Sequence, residues 1–126
     1  MTTASTKRVP DPRPVVDTGA SGSHLLGGRC TACGHPSPTT TPRCQRCGAG
    51  MAAAVYGPGG TIWSTTTIRV TSGDRPVPYT LAYVDLDDGP RLLAHVWGGP
   101  VIAARIGRRV TLIETAEAGD PQVRVI

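Results

Sequence analysis

Four cysteines fall in two identical knuckles, Cys30-Thr31-Ala32-Cys33-Gly34 and Cys44-Gln45-Arg46-Cys47-Gly48, and the 126-residue chain has no others. Each knuckle reads CxxCG, and ten residues separate the two. This pattern constrains the fold more than any other feature. A tetrahedral metal needs four soft ligands, and two short loops deliver two each. The closing glycine of each knuckle fits a turn of positive φ that points backbone N–H groups at the sulfurs. The spacing is close to that of a zinc ribbon, so Cys30, Cys33, Cys44 and Cys47 are the predicted ligands and Zn²⁺ the predicted ion. Iron competes for the same cage, because tetrahedral sulfur sites suit either metal. Two disulfides would need an oxidising compartment, and Met1-Thr2-Thr3-Ala4 opens no apolar signal segment. A redox CxxC usually stands alone beside a βαβ pattern, which this chain lacks.

The length fits one domain, or one small domain with an appendage. There is no Phe, with only two Trp and three Tyr, so outside the ribbon the core must be built from Val, Ile, Leu and Ala. Sixteen Gly and twelve Pro favour short strands and turns over long helices. No apolar stretch approaches the ~20 residues of a membrane span, and a cytoplasmic location is the expectation. The formal charge is +4, which a zinc–thiolate cluster brings to near +2. Residues 51–126 carry seven arginines and seven acids. A sequence-independent nucleic-acid binder wants a concentrated basic face, and this region offers none.

Along the chain, residues 1–24 read as a flexible tail, residues 25–50 as the ribbon and residues 51–126 as a barrel. A short helical turn is expected around His24, Leu25 and Leu26, capped by Ser21 or Ser23. Five β-rich segments follow: Thr61–Val70, Val77–Leu86, Arg91–Trp97, Arg108–Glu114 and Gln122–Ile126. Gly and Pro clusters separate them. Residues 101–106 read as a helical connection or an irregular segment. Five evenly spaced strands suit an OB-fold barrel, with an SH3-like barrel as the competing architecture.

These pieces, in this order, resemble a known family. The CxxCG ribbon runs into a glycine-turned, Thr-rich strand, then into Val84-Asp85-Leu86-Asp87-Asp88-Gly89-Pro90-Arg91-Leu92-Leu93-Ala94, and later into Ile106-Gly107-Arg108-Arg109-Val110. Over about residues 25–126 the chain is similar to bacterial and archaeal OB-fold proteins with a rubredoxin-like zinc ribbon, catalogued as domain of unknown function 35. The resemblance implies a non-catalytic accessory subunit of a thiolase-superfamily enzyme, whether thiolase, aldolase or acyltransferase. It implies a hetero-oligomer whose OB fold and ribbon sit against the thiolase-like partner and help form the channel for an acyl-CoA. Two departures stand out. Residues 1–29 lack the aromatics of the family's N-terminal segment, and Thr41 precedes Pro42-Arg43 where the family ribbon commonly places an aromatic.

The residue chemistry offers no catalytic constellation. Asp85, Asp87 and Asp88 sit in an Asp-Asp-Gly-Pro order that is ordinary turn chemistry. His95 reads as a polar strand face rather than a base. Arg43 and Arg46 lie on the ribbon with no acid nearby; they suit phosphate binding or offset the negative cluster. Trp63, Tyr79, Tyr83 and Trp97 lie on strands, where some must be core and the rest partner anchors. Arg43, Arg46, Trp63 and Tyr79 are the candidate ligand or partner contacts. A single-stranded nucleic-acid-binding module is the alternative reading, and an independent acyl-CoA enzyme ranks beside it.

Overall fold

The computed structural model describes residues 13–70, 73, 75–98, 102–116 and 118–126. Nine strands and no helix appear among them. Residues 1–12 of the expected tail, Ser72 and Asp74 of the loop before Val77, Gly99 and Pro100 of the expected strand break, and Val101 all lie outside the described residues.

The first four strands make one antiparallel sheet: β1 (Val15–Gly19), β2 (Gly22–Cys30), β3 (Pro36–Ser37) and β4 (Met51–Tyr56). Its centre is β2. Val15 to Gly19 pair with Leu26 to Gly22 along one edge, and Pro36–Ser37 continue that edge beside Arg29 and Gly28. Met51 to Tyr56 pair with Cys30 to Leu25 along the other. This corrects two expectations. The segment around His24-Leu25-Leu26 is extended, not helical, and the chain is already in a strand at Val15, well inside the stretch read as a tail. The reason is non-local: β4 supplies Tyr56 and Val55 as partners of Leu25 and Leu26, about thirty residues downstream, and Leu25 is fully buried once it is paired. The sheet also draws in Met51–Tyr56.

The remaining strands close into a barrel: β5 (Gly59–Ile68), β6 (Tyr79–Leu86), β7 (Arg91–Val96), β8 (Arg109–Ile113) and β9 (Gln122–Val125), in the order β5-β6-β7-β9-β8. All five fall where the β-rich segments were expected. One end of β5 pairs with β8 and most of its length with β6, which closes the barrel. The pairing of β7 with β9 is parallel and joins His95–Val96 to Gln122–Val123. Described residues 102–106 form turns and irregular backbone. The strands alternate in burial: Thr80, Ala82, Val84 and Leu86 point inward from β6, and Leu92, Ala94 and Val96 from β7. The core is aliphatic, as the composition demands.

Leu25 and Tyr56 of the first sheet belong to the same buried cluster as Ile62, Leu92 and Leu112 of the barrel. Tyr56 stacks against Gly89, where an added Cβ would come within 2.7 Å of the ring. Its hydroxyl donates to the Gly28 carbonyl at 2.7 Å. Tyr56 is therefore the buried aromatic. Trp63, Tyr83 and Trp97 are exposed and Tyr79 is half-buried, so the expectation that some of these four must be core fails. Aliphatic side chains, with Thr80, fill the barrel interior from its own strands, and Tyr56 joins them from the first sheet.

Candidate metal centre and barrel face

The two knuckles repeat one local structure. Gly34 N–H donates to the Cys30 carbonyl at 3.1 Å, and Gly48 N–H to the Cys44 carbonyl at 2.9 Å. Cys30 N–H reaches the His35 carbonyl, and Cys44 N–H the Ala49 carbonyl. Gly34 and Gly48 take φ of 76° and 81°, the left-handed region in which glycine carries no steric cost. The N–H groups of Ala32 and Cys33 point at Cys30 Sγ, each at 3.4 Å, and that of Arg46 at Cys44 Sγ, at 3.2 Å. The four ligand atoms lie within 4.8 Å of one another. Cys30–Cys47 and Cys33–Cys44 Sγ separations are 3.4 and 3.8 Å. A metal with thiolate bonds of ~2.3 Å needs sulfurs about 3.8 Å apart at tetrahedral corners, so the cage fits a metal ion. Four protein ligands leave no open position, which is the character of a structural site.

The electrostatics point the same way. The N–H groups of Cys33 and Ala32 pull the Cys30 thiol down to about 6. Cys47 receives an N–H from Ala49, yet the Cys30 and Cys33 sulfurs beside it push its thiol up to about 11. Burial opposes ionisation of Cys44, but the N–H groups of Cys47 and Arg46 outweigh it and lower the thiol below its ordinary value. The backbone is aimed at thiolates, while the crowding of four sulfurs resists complete ionisation. A cation in the centre resolves that conflict.

Each knuckle is preceded by an arginine, so the repeat is RCxxCG. Arg29 Nη1 donates to the Gly34 carbonyl at 2.9 Å, and Arg43 Nη1 to the Gly48 carbonyl at 3.1 Å. Arg43 thus clamps its own knuckle. Arg46 is exposed, and its contribution to the site is its backbone N–H. Arg29 was not among the expected site residues. Its second nitrogen reaches the Asp88 carbonyl at 2.7 Å, and its guanidinium lies 5.5 Å from the Tyr56 ring centroid. One side chain therefore ties the metal knuckle to the turn between β6 and β7. The doubled arginine was the available signal.

Trp63 and Tyr79 lie elsewhere, on the barrel. Ile62 pairs with Val84 and Ser64 with Tyr83, so Trp63 is the extra residue of a bulge in β5 and turns outward. The Arg91 guanidinium lies 3.7 Å from its ring centroid, and Tyr83 meets the ring edge-on at 6.3 Å. Arg91 also grips Asp85 through two nitrogens, at 2.7 and 3.2 Å. Tyr79 and His95 place their rings 5.5 Å apart, and Arg75 lies over Tyr79 at 5.4 Å. Asp120 receives Arg75 at 3.3 Å and faces His95 Nε2 at 3.5 Å. Burial, helped by Arg75, lowers the His95 pKa, and the opposing pull of Asp120 does not cancel it. Asp87 is paired with Arg109 at 2.6 Å and Asp88 takes a φ of 51°, so the acid cluster is turn and ion-pair chemistry.

Residues 54–114 match the family model of the ChsH2 C-terminal OB-fold domain. No curated protein matches the chain. Among solved structures the chain is similar to a chain of the Ltp2–ChsH2(DUF35) aldolase, at 26% identity and a TM-score of 0.64, covering 81% of this chain and 84% of that one. It shares the fold of a DUF35-family protein of unknown function from Sulfolobus solfataricus, at 16% identity and a TM-score of 0.60, covering 82% of this chain and 76% of that one. Residues 54–114 are therefore similar to the OB-fold of the ChsH2 C-terminal domain, and the chain as a whole shares the fold of the DUF35 structures, with its four-cysteine cluster ahead of the barrel.

Proposed function

We propose that this protein is a non-catalytic accessory subunit that docks on a thiolase-superfamily enzyme and assists the binding or transfer of an acyl-CoA substrate. The observation that carries this reading is the likeness to the ChsH2(DUF35)-containing aldolase over 81% of the chain. The closed four-cysteine cage supports it too, because a metal held there stiffens a scaffold rather than meeting a substrate. Zinc is the assigned ion, on the knuckle spacing, and a reducing, cytoplasmic setting keeps its thiolates available. Tagged protein purified from its own host, with mass spectrometry of what accompanies it, tests the reading. A thiolase-superfamily subunit in near-stoichiometric amount is expected. Nuclease-sensitive recovery of nucleic-acid-associated proteins alone overturns it. Elemental analysis showing one zinc per chain is expected, and iron in its place corrects the metal.

A further inference from the structure

Strand β6 is largely apolar on both faces, with only Asp85 charged on its outer side, and Leu93 of β7 stands beside it between the outward Arg91 and His95. The inward side chains of both strands fill the core, yet Tyr79, Leu81 and Tyr83 of β6 and Leu93 of β7 point outward. Tyr83 faces Leu93 across the strand pair, and both remain more than 40% exposed, at 44% and 46%. An antiparallel strand with one wet face ordinarily alternates apolar and polar residues; a strand largely apolar on both faces, as β6 is, is written for two covers. The barrel interior is one cover, and among the described residues the second is absent.

The uncovered face has a shape. A groove of about 450 Å³ runs over Tyr79, Leu81 and Leu93 between Pro38 of the ribbon and Pro121 of the β8–β9 turn. A shallower depression of about 270 Å³ adjoins it, sharing Leu81 and Leu93. The larger groove is walled by the second and third barrel strands, by Arg75 before the second strand and Asp120 before the fifth, and by Pro14 and Pro38 of the first unit. That is the side through which OB-folds take their ligands.

Charge decides what fits. The two arginines on the groove are already matched by carboxylates of the same surface, Arg91 with Asp85 at 2.7 Å and Arg75 with Asp120 at 3.3 Å. A polyanion draws its affinity from cations that release counterions, and pairs neutralised in place supply little. With its charges matched in place, the face is complemented by a protein surface that is apolar opposite Tyr83 and Leu93. Trp63, Tyr83 and Arg91, stacked together, are the residue types that anchor such interfaces.

We propose that the outer face of β6–β7, from Trp63 through Tyr83 and Leu93 to the groove at Tyr79, is where the thiolase-like partner subunit seats. This assignment rests on the accessory-subunit reading above. The test compares tagged wild type, Leu93→Asp and Val55→Asp. Val55 is the control: it is 62% exposed, in a row with Leu26 and Val15 on the other sheet. Melting temperature and metal content verify folding, and Tyr83→Ser replaces Leu93→Asp if the aspartate variant melts early. The thiolase-superfamily subunit identified with wild type is purified, and its affinity for each variant is measured. Leu93→Asp weakens binding at least about thirtyfold, the scale of a hot-spot residue, and Val55→Asp leaves it unchanged. Equal affinity for Leu93→Asp and wild type overturns the face while the accessory role stands. If wild type recovers no such subunit, the accessory reading fails and the assignment falls with it. A wild-type dimer that Leu93→Asp dissociates assigns the face to a second copy, and salt-sensitive binding of single-stranded DNA assigns it to nucleic acid; either overturns the proposal.

Discussion

From Cys30 to Gly50 the chain buries two side chains, and both are cysteines, Cys30 and Cys44. The barrel buries Ile62, Val84, Leu92, Val110 and Val123 at 1% exposure or less. Burying each such side chain stabilises by roughly 1.5–3 kcal/mol, and the ribbon has no comparable source. Its backbone is held instead by N–H···S contacts, by two arginine clamps and by whatever ion the sulfurs share. The contrast teaches that one chain can order two neighbouring units by different chemistry, provided a joint connects them. Here the joint is Leu25, Tyr56 and Arg29.

The comparison breaks most sharply when one unit's support is removed. In Cys30→Ser a three-thiolate site remains, and metal-coupled folding is worth on the order of 10 kcal/mol. The ribbon amides should lose protection from hydrogen exchange while the β6–β7 amides keep theirs, and bound metal should fall to trace. Uniform loss of protection would show that the barrel cannot stand without the ribbon. The converse variant is Leu92→Ala, which leaves a cavity in the barrel and should cost about 2–5 kcal/mol in denaturant melts, with metal stoichiometry unchanged.

Smaller changes sharpen the joint. Arg29→Ala removes bonds to both Gly34 and Asp88, whereas Arg43→Ala removes one within its own knuckle. Arg29→Ala should cost about 1–2 kcal/mol, and the exposed Arg43→Ala less, with both read by thermal melting of the metal-loaded protein. Equal effects would mean that the Arg29–Asp88 contact carries nothing. The smallest effect is one of pH. Folding lowers the His95 pKa, so the unfolded chain binds the extra proton first. His95 therefore subtracts no stability above the unfolded value near 6.5, and stability declines as pH falls below it through the lowered folded value. His95→Gln should flatten the dependence of melting temperature between about pH 7.5 and 5. An unchanged slope would assign that region to other groups.

Much of this was legible from local pattern. The ligand set, the five barrel strands and the aliphatic core follow from spacing and residue type, since CxxCG turns and β-branched runs impose themselves within a few residues. The first sheet was not legible. Val15–Val16 and His24–Leu26 carry weak strand signals, and they are extended because β2 finds β4 after the knuckles fold back. Arg29 was passed over because its second partner, Asp88, is 59 residues away.

The sequence by itself determined where a metal can be held and where the barrel strands lie, because both depend on contacts within short stretches of chain. Only the tertiary structure decided which side of those strands is covered. The bulge turns Trp63 outward, the parallel β7–β9 pairing brings Asp120 to His95, and the ribbon adds Pro38 to the groove that Leu93 lines. Each of these juxtaposes residues far apart in the chain, and closure of the barrel sets them.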